Sequence, residues 1–526
     1  MDKNTRVEDT SSFGPSAKGG LWPSLYLLAV LCAISLIYSG PLWQVYLFSD
    51  EMNVLSAKFR ERHFSGDIWT SVYHWTKLTG RPLSGVVITN FQHAYALGEQ
   101  GLQLLRAIAL LASLGGAAGT FYVLRLLHIP PLHATLLIVF IWSQPAFALH
   151  HVYLLLMPYW IGFYCALLSF VIFYSRRDKR LGLGEISLHL LLFATAILMF
   201  QPLVFLILPF LTLTVLKDPE GRYTKRVISL FGFILGIVFA YTICFKLASL
   251  MYGVGRYSKA RELLSADNTE HLLGDGYLRV FEFWNYPIAV SLEDQQKFIL
   301  TLTAFVCILG VIFVVAVLDG ASSRKRALQW GLVAVFFGTA LLPILADGGG
   351  DRQHLAMTAA MIWPLVFYQS VVFVANRLSD RQVQAARTVL LPCAFLLVAF
   401  VAFGAAAGLG RAVIGHYSAF LRVVQYEFYA QNIADKTDVV VYLPSESFNE
   451  THCDAEPCTG YLARRVPTRF YTKREGFYIF AARTAGASQA LSFSFVEAGT
   501  PLEDEKSVVV LDWRAMLASV GIPSPD

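Results

Sequence analysis

Two adjacent carboxylates, Asp50 and Glu51, follow directly on an apolar run from Leu21 to Phe48. A carboxylate held where lipid meets water is partly desolvated, and is then suited to take a proton from a hydroxyl or to hold a cation beside a phosphate. A solvated helix cap would present the same pair, so the surrounding residues have to decide between the two. A further acid, Asp67, and the segment Trp75-Thr-Lys-Leu-Thr-Gly-Arg-Pro-Leu83 come next in the same polar stretch.

Groups able to receive a phosphate anion recur in three places. Arg81 precedes the second long apolar run, and Gly255-Arg-Tyr-Ser-Lys-Ala-Arg261 gathers Arg256, Lys259 and Arg261 within seven residues. Anionic lipid headgroups alone would also account for that second cluster. Asp347-Gly-Gly-Gly-Asp-Arg-Gln-His354 is a glycine-rich turn presenting Asp351, Arg352 and His354 together, although a connecting turn with snorkelling charges has the same composition. His150 and His151 are neighbours and would point about 100° apart on a helix, so they are poor joint metal ligands and are expected to be interfacial. Arg106, about one turn inside an apolar run, is costly there unless it is paired, faces a polar cavity or snorkels outward.

The elements that must position these groups are helices crossing a bilayer. Of the 526 residues 56% are hydrophobic and 15% charged, too little polar surface to cover a soluble body of this size. Apolar runs near 22–46, 102–124, 132–148, 152–174, 185–199, 202–216, 227–250, 297–318, 328–346, 355–376 and 388–409 predict about eleven spans, each near the ~20 residues that ~30 Å of hydrocarbon requires. The first run follows Lys3, Arg6 and Lys18 like the start of a signal peptide, but its length predicts an uncleaved anchor with the N-terminus in the cytoplasm. The connections at 175–180, 217–226, 324–326 and 377–387 are all basic, as expected of cytoplasmic loops. Basic flanks on both sides of 185–216 require an even number of crossings, which makes Phe200-Gln201-Pro202 a hairpin tip. Pro202 lacks an N–H and disfavours helix at Gln201, so a turn or break is expected there.

Three segments then fall on the outer side: 49–100, 252–296 and everything after about Arg411. The first, rich in Trp69, Tyr73, Trp75, Phe91 and Tyr95 among cations, suits helices lying flat at the interface or an exposed loop. The tail carries apolar runs at 439–443 and 508–511 and aromatic runs at 469–471 and 477–480. These predict a small soluble α/β or β domain over 411–526, apart from a membrane domain over 1–410. Cys453 and Cys458 flank a short polar turn, readable as a disulfide in an oxidising compartment or as two free thiols.

This layout resembles the GT-C class of membrane glycosyltransferases. In that class an acidic residue or Asp-Glu pair opens the first outer loop, interfacial helices follow, and a long helical bundle leads to a soluble tail. The Asp50-Glu51 pair resembles that of the protein mannosyltransferases and the aminoarabinose transferases. Gly-Arg-Pro-Leu83 and Phe-Gln-Pro202 resemble segments of bacterial glucosyltransferases that decorate surface polysaccharide. The Pro-Pro-Leu element of some families stands here only as Arg81-Pro82-Leu83, so no subfamily follows.

The resemblance implies inverting transfer of a sugar from a polyprenyl-phosphate donor to a cell-envelope glycan or lipid acceptor, outside a bacterial inner membrane. Asp50 would be the catalytic base, with Glu51 assisting. Arg81, Gln201, Arg256, Lys259, Asp351, Arg352 and His354 would bind substrate. Some members of the class place a divalent cation, Mg or Mn, at the acidic residue, and several do not; Asp50 would be its ligand. The rival readings are a polymerase or ligase of lipid-linked oligosaccharides, which uses outer-loop arginines and a pyrophosphate donor, a flippase or transporter for lipid-linked saccharides, and a scaffold whose tail binds partners. A flippase would show internal symmetry and broken charged helices near the midplane, neither of which is evident. The net charge of +5 sits in short loops, leaving no basic groove for nucleic acid.

Overall fold

The computed structural model describes residues 21–43, 72–73, 81–95, 98–152, 157–177, 182–252, 294–346, 357–377, 392–404, 416–443, 475–487, 491–497, 508–513 and 515–516. Most of them are helical. Among the described residues, five helices are long and apolar enough to cross a membrane: Glu99–Leu126, Pro158–Ser175, Thr224–Ala248, Arg324–Pro343 and Met357–Ala375. Shorter apolar helices at Pro23–Tyr38, Pro131–Trp142, Leu183–Met199, Gln201–Leu216, Val306–Gly320 and Pro392–Gly404 fall on the other apolar runs of the sequence.

In chain order the helices used below are α1 (Leu21–Tyr38), α2 (Pro82–Tyr95), α3 (Glu99–Leu126), α4 (Pro131–Trp142), α5 (Pro145–Val152), α6 (Pro158–Ser175), α7 (Leu183–Met199), α8 (Leu208–Leu216), α9 (Thr224–Tyr252), α10 (Asp294–Gly320), α11 (Arg324–Ala346) and α12 (Met357–Ala375). A 3-10 helix, Gln201–Ile207, joins α7 to α8. All nine residues of α8 are buried, as expected of a helix apolar on every side that is enclosed by other helices rather than by lipid. Small residues let neighbours approach closely. A Cβ at Gly119 of α3 would lie 2.7 Å from a Leu167 methyl of α6, and one at Gly162 of α6 would lie 2.7 Å from Leu203 Cβ. Because Cβ cannot swing aside as a side-chain tip does, Gly162→Ala is expected to lower stability by about 1–3 kcal/mol. Thermal unfolding in detergent or lipid measures this, and an unchanged midpoint would show that the 3-10 helix can shift freely.

The length of α3 separates two poles. Its 28 residues at about 1.5 Å each place its ends roughly 40 Å apart. At its C-terminal end, Lys217 Nζ donates to the Leu127 carbonyl (2.6 Å), Arg326 donates to the Leu216 carbonyl (3.2 Å), and Arg177 donates to the Tyr223 hydroxyl (3.3 Å). Arg177, Lys217 and Arg326, from three of the basic connections, therefore meet at one pole. Here Glu185, in the first turn of α7, pairs with Arg226 and lies 3.6 Å from His189, with Glu185 and His189 both almost fully buried.

At the N-terminal end of α3, Glu99 accepts from Gln425 (3.2 Å) of helix α13 (His416–Ala430), which begins the tail. The tail contains a parallel three-stranded sheet of β1 (Asp438–Leu443), β2 (Ser492–Glu497) and β3 (Val508–Asp512), in the order β2-β1-β3. Parallel pairing requires crossover connections, so the tail is α/β and not a β-meander. The backbone of edge strand β3 is engaged by Gln431, whose amide donates to the Val510 carbonyl (2.7 Å) and accepts from its N–H (2.8 Å).

The aromatic run 477–480 is part of helix α14 (Glu475–Thr484), and Gly476 to Ala482 are all buried. A helix buried on every side shows no periodicity, and four consecutive large apolar residues read equally well as a strand. Tyr478 anchors it, accepting from Trp513 Nε1 (2.5 Å) and lying with its ring near Phe493 and Phe495 of β2. Burial holds its phenol above the usual tyrosine range. Cys453 and Cys458 lie outside the described residues.

Candidate functional site

Two local breaks in helix build the site. Phe200 takes an extended backbone (φ −165°, ψ 124°), ending α7 where the following Gln201-Pro202 discourages its continuation, and Pro202 then opens the 3-10 helix. Arg81 stands before Pro82, which starts α2 with no N–H to leave unpaired. The two breaks meet. Ser84 donates to the carbonyl of Met199, one of those left without an intrahelical partner at the end of α7.

Arg81 Nε donates to Gln201 Oε1 (3.1 Å), while its guanidinium lies 3.9 Å over the Phe200 ring. Since an arginine only donates, the Gln201 oxygen must face it and the amide nitrogen must face away. That nitrogen donates to the Tyr241 hydroxyl of α9 (2.9 Å), turning the phenol's own proton away from Gln201. One cation, one amide and one phenol are thus ordered by residues far apart in the chain. An arginine so placed offers planar hydrogen-bonding geometry to phosphate or carboxylate.

An aromatic layer continues from this group into the bundle. The Phe200 ring lies 4.5 Å from that of Tyr159, which lies 4.7 Å from His150. His150 Nδ1 donates to the Ala146 carbonyl (2.8 Å), leaving Nε2 as a buried acceptor with no hydrogen-bond partner among the described residues; Trp160 Nε1 is a buried donor in the same condition. His151 is satisfied differently: its Nδ1 donates to the Phe147 carbonyl (3.0 Å), so Nε2 accepts from Ser113 (2.5 Å), which itself accepts from Trp142 Nε1 (3.0 Å). Tyr38 stacks on His151 at 3.6 Å.

The two histidines were expected at the interface, but they are 0% and 3% exposed. Tyr38, Tyr159 and Trp160 pack against them, and each ring nitrogen Nδ1 is met by a carbonyl of its own helix, which offsets part of the cost of leaving water. Arg106 is likewise enclosed, at 1% exposure, rather than snorkelling outward.

Of the residues singled out for substrate, the structure brings together Arg81 and Gln201. Asp50, Glu51, Arg256, Lys259, Asp351, Arg352 and His354 lie outside the described residues. Tyr241 and Phe200 were not singled out. Tyr241 carries a signal, a phenol inside an otherwise apolar run, whereas nothing in the sequence distinguishes the role of Phe200. Among the described residues no group of three His, Cys, Asp or Glu side chains converges to hold a metal. No family model, curated protein or solved structure matches the chain.

Proposed function

We propose that the chain is a GT-C-type glycosyltransferase transferring a sugar from a polyprenyl-phosphate donor to a glycan or lipid acceptor of the cell envelope. The observation that supports this best is the Arg81–Gln201–Tyr241 group, which sits against an aromatic layer at the pole remote from the basic loops. In this reading the chain crosses a bacterial inner membrane eleven times. The basic pole faces the cytoplasm, and the tail lies outside.

The reaction is a displacement at the anomeric carbon. Asp50, with Glu51 beside it, removes the proton of an acceptor hydroxyl, and that oxygen bonds to the anomeric carbon from the face opposite the phosphate. The bond from this carbon to the phosphate oxygen breaks with its electron pair, so the product is inverted and polyprenyl phosphate leaves as an anion. Arg81 meets the growing charge on the phosphate, and Gln201 and Tyr241 hold its guanidinium in orientation. The transition state has oxocarbenium character, and the isoprenoid tail lies between helices. Arg256, Lys259, Asp351, Arg352 and His354 would bind the donor, and Asp50 would hold a divalent cation where one is used.

The test is transfer by the purified full chain in lipid from a panel of polyprenyl-phosphate sugars, with polyprenyl-pyrophosphate oligosaccharides run alongside. Transfer from a monophosphate donor with inverted product is expected; activity with the pyrophosphate donors alone would replace this reading with a polymerase or ligase. Tyr241→Phe is expected to slow transfer about fivefold, the worth of one neutral hydrogen bond, because Gln201 loses its second anchor. An unchanged rate in that variant would show that the Arg81 orientation does not depend on α9.

A further inference from the structure

At the basic pole a cavity of about 840 Å³ opens among the ends of α3, α6, α8, α10 and α12, and nothing in the transfer reaction uses it. Its volume lies in the range of small-molecule sites. Lys217, Arg177 and Arg326 line it, together with the acids Asp218 and Asp319. Both acids are engaged: Asp319 accepts from Arg326 and from Trp330 Nε1 (2.8 Å), and Asp218 accepts from the Tyr223 N–H (2.6 Å). Lys217, by contrast, donates to the Leu127 backbone carbonyl, as does Arg125, outside the lining, to that of Ile129.

The field inside is therefore positive. Burial and then the charges of Lys217, Arg177 and Arg125 hold the His128 imidazole below its usual range, so at neutral pH it is an uncharged polar group on the wall. Burial pushes the Lys217 ammonium down to about 8, so at pH 7 it is mostly charged while short of its full hydration. Gln369 also lines the cavity, and its buried Oε1 accepts no hydrogen bond from any described residue. Apolar Leu127, Leu216 and Phe373 complete the wall.

A half-buried cation short of water attracts an anion, and a buried acceptor atom with no donor attracts a hydroxyl. We propose that this cavity binds a phosphate ester carrying free hydroxyls, its phosphate against Lys217 and Arg177 and a hydroxyl donating to Gln369. A phospholipid headgroup such as phosphatidylglycerol and a water-soluble ester such as glycerol phosphate share this chemistry.

Binding to the full chain distinguishes the two sources and does not depend on sugar transfer. Native mass spectrometry of protein from nanodiscs reads retention of phosphatidylglycerol over phosphatidylcholine, and calorimetry in detergent reads glycerol phosphate. At least one is expected to bind the wild type. Lys217→Gln is expected to weaken binding at least about tenfold, in line with loss of a charge-assisted bond. Gln369→Leu, which removes an unpaired atom and should not harm folding, is expected to weaken it about threefold to tenfold. Arg222→Gln, whose side chain is exposed and pairs with Glu220 outside the cavity, should bind as the wild type does. Binding of neither ligand by the wild type, or binding unaltered in both Lys217→Gln and Gln369→Leu, would overturn the proposal.

Discussion

Arg81→Ala is expected to lower sugar transfer at saturating donor by at least about 100-fold, the loss typical of deleting one group that meets charge developing in a transition state. The donor's phosphate gains negative charge as the anomeric bond breaks, so the loss should fall on kcat more than on KM. Arg81→Lys should recover less than about tenfold of it, since an ammonium has neither the planar fork that Gln201 receives nor the flat face that lies on Phe200. Asp50→Asn, at matched yield and thermal midpoint, should fall at least as far because the acceptor keeps its proton. A full rate in Arg81→Ala would remove this arginine from the reaction, and a full rate in Asp50→Asn would place the base elsewhere.

The largest expected effect on stability lies at the other pole. Glu185→Leu should destabilise the protein by about 3–5 kcal/mol, because Arg226 stays in place without its carboxylate. The Arg226 side chain is only 9% exposed, and Arg226 sits in the first turn of α9, where the helix dipole disfavours a cation. Glu185 stands in the first turn of α7, where a carboxylate is favoured, so its loss removes two compensations together. The double variant Glu185→Leu with Arg226→Met leaves neither charge of the pair buried and should recover most of the loss. Denaturant or thermal unfolding of the four proteins gives the cycle. A double variant no better than Glu185→Leu alone would locate the stabilisation in His189 and its hydrogen bond to Ser169 instead.

Helix positions were legible wherever apolar runs were bounded by charge, and the break at Gln201 was legible because proline acts on its own neighbours. The fate of 477–480 was not, since burial on every side erases the periodicity that tells a helix from a strand. Nor was the burial of His150 and His151, because the rings that pack on them come from α1 and α6, and a linear sequence does not show which helices are neighbours. Arg81 and Gln201 were each singled out as candidates, but their contact was not, as it depends on how α2 leans on the end of α7. Tyr241 joins them from a third element on the same grounds.

The separation of these partners along the chain also sets a timetable for biogenesis. Gln201 comes 120 residues after Arg81, and Tyr241 a further 40. At roughly 5–20 residues per second, a ribosome needs on the order of 10–30 s to pass from the first to the last. The amide that Arg81 contacts is made only after 120 further residues, and the phenol that anchors this amide 40 residues later still. The membrane insertion machinery must therefore tolerate Arg81 long before its final surroundings exist, and α9 is the earliest element whose arrival can complete them.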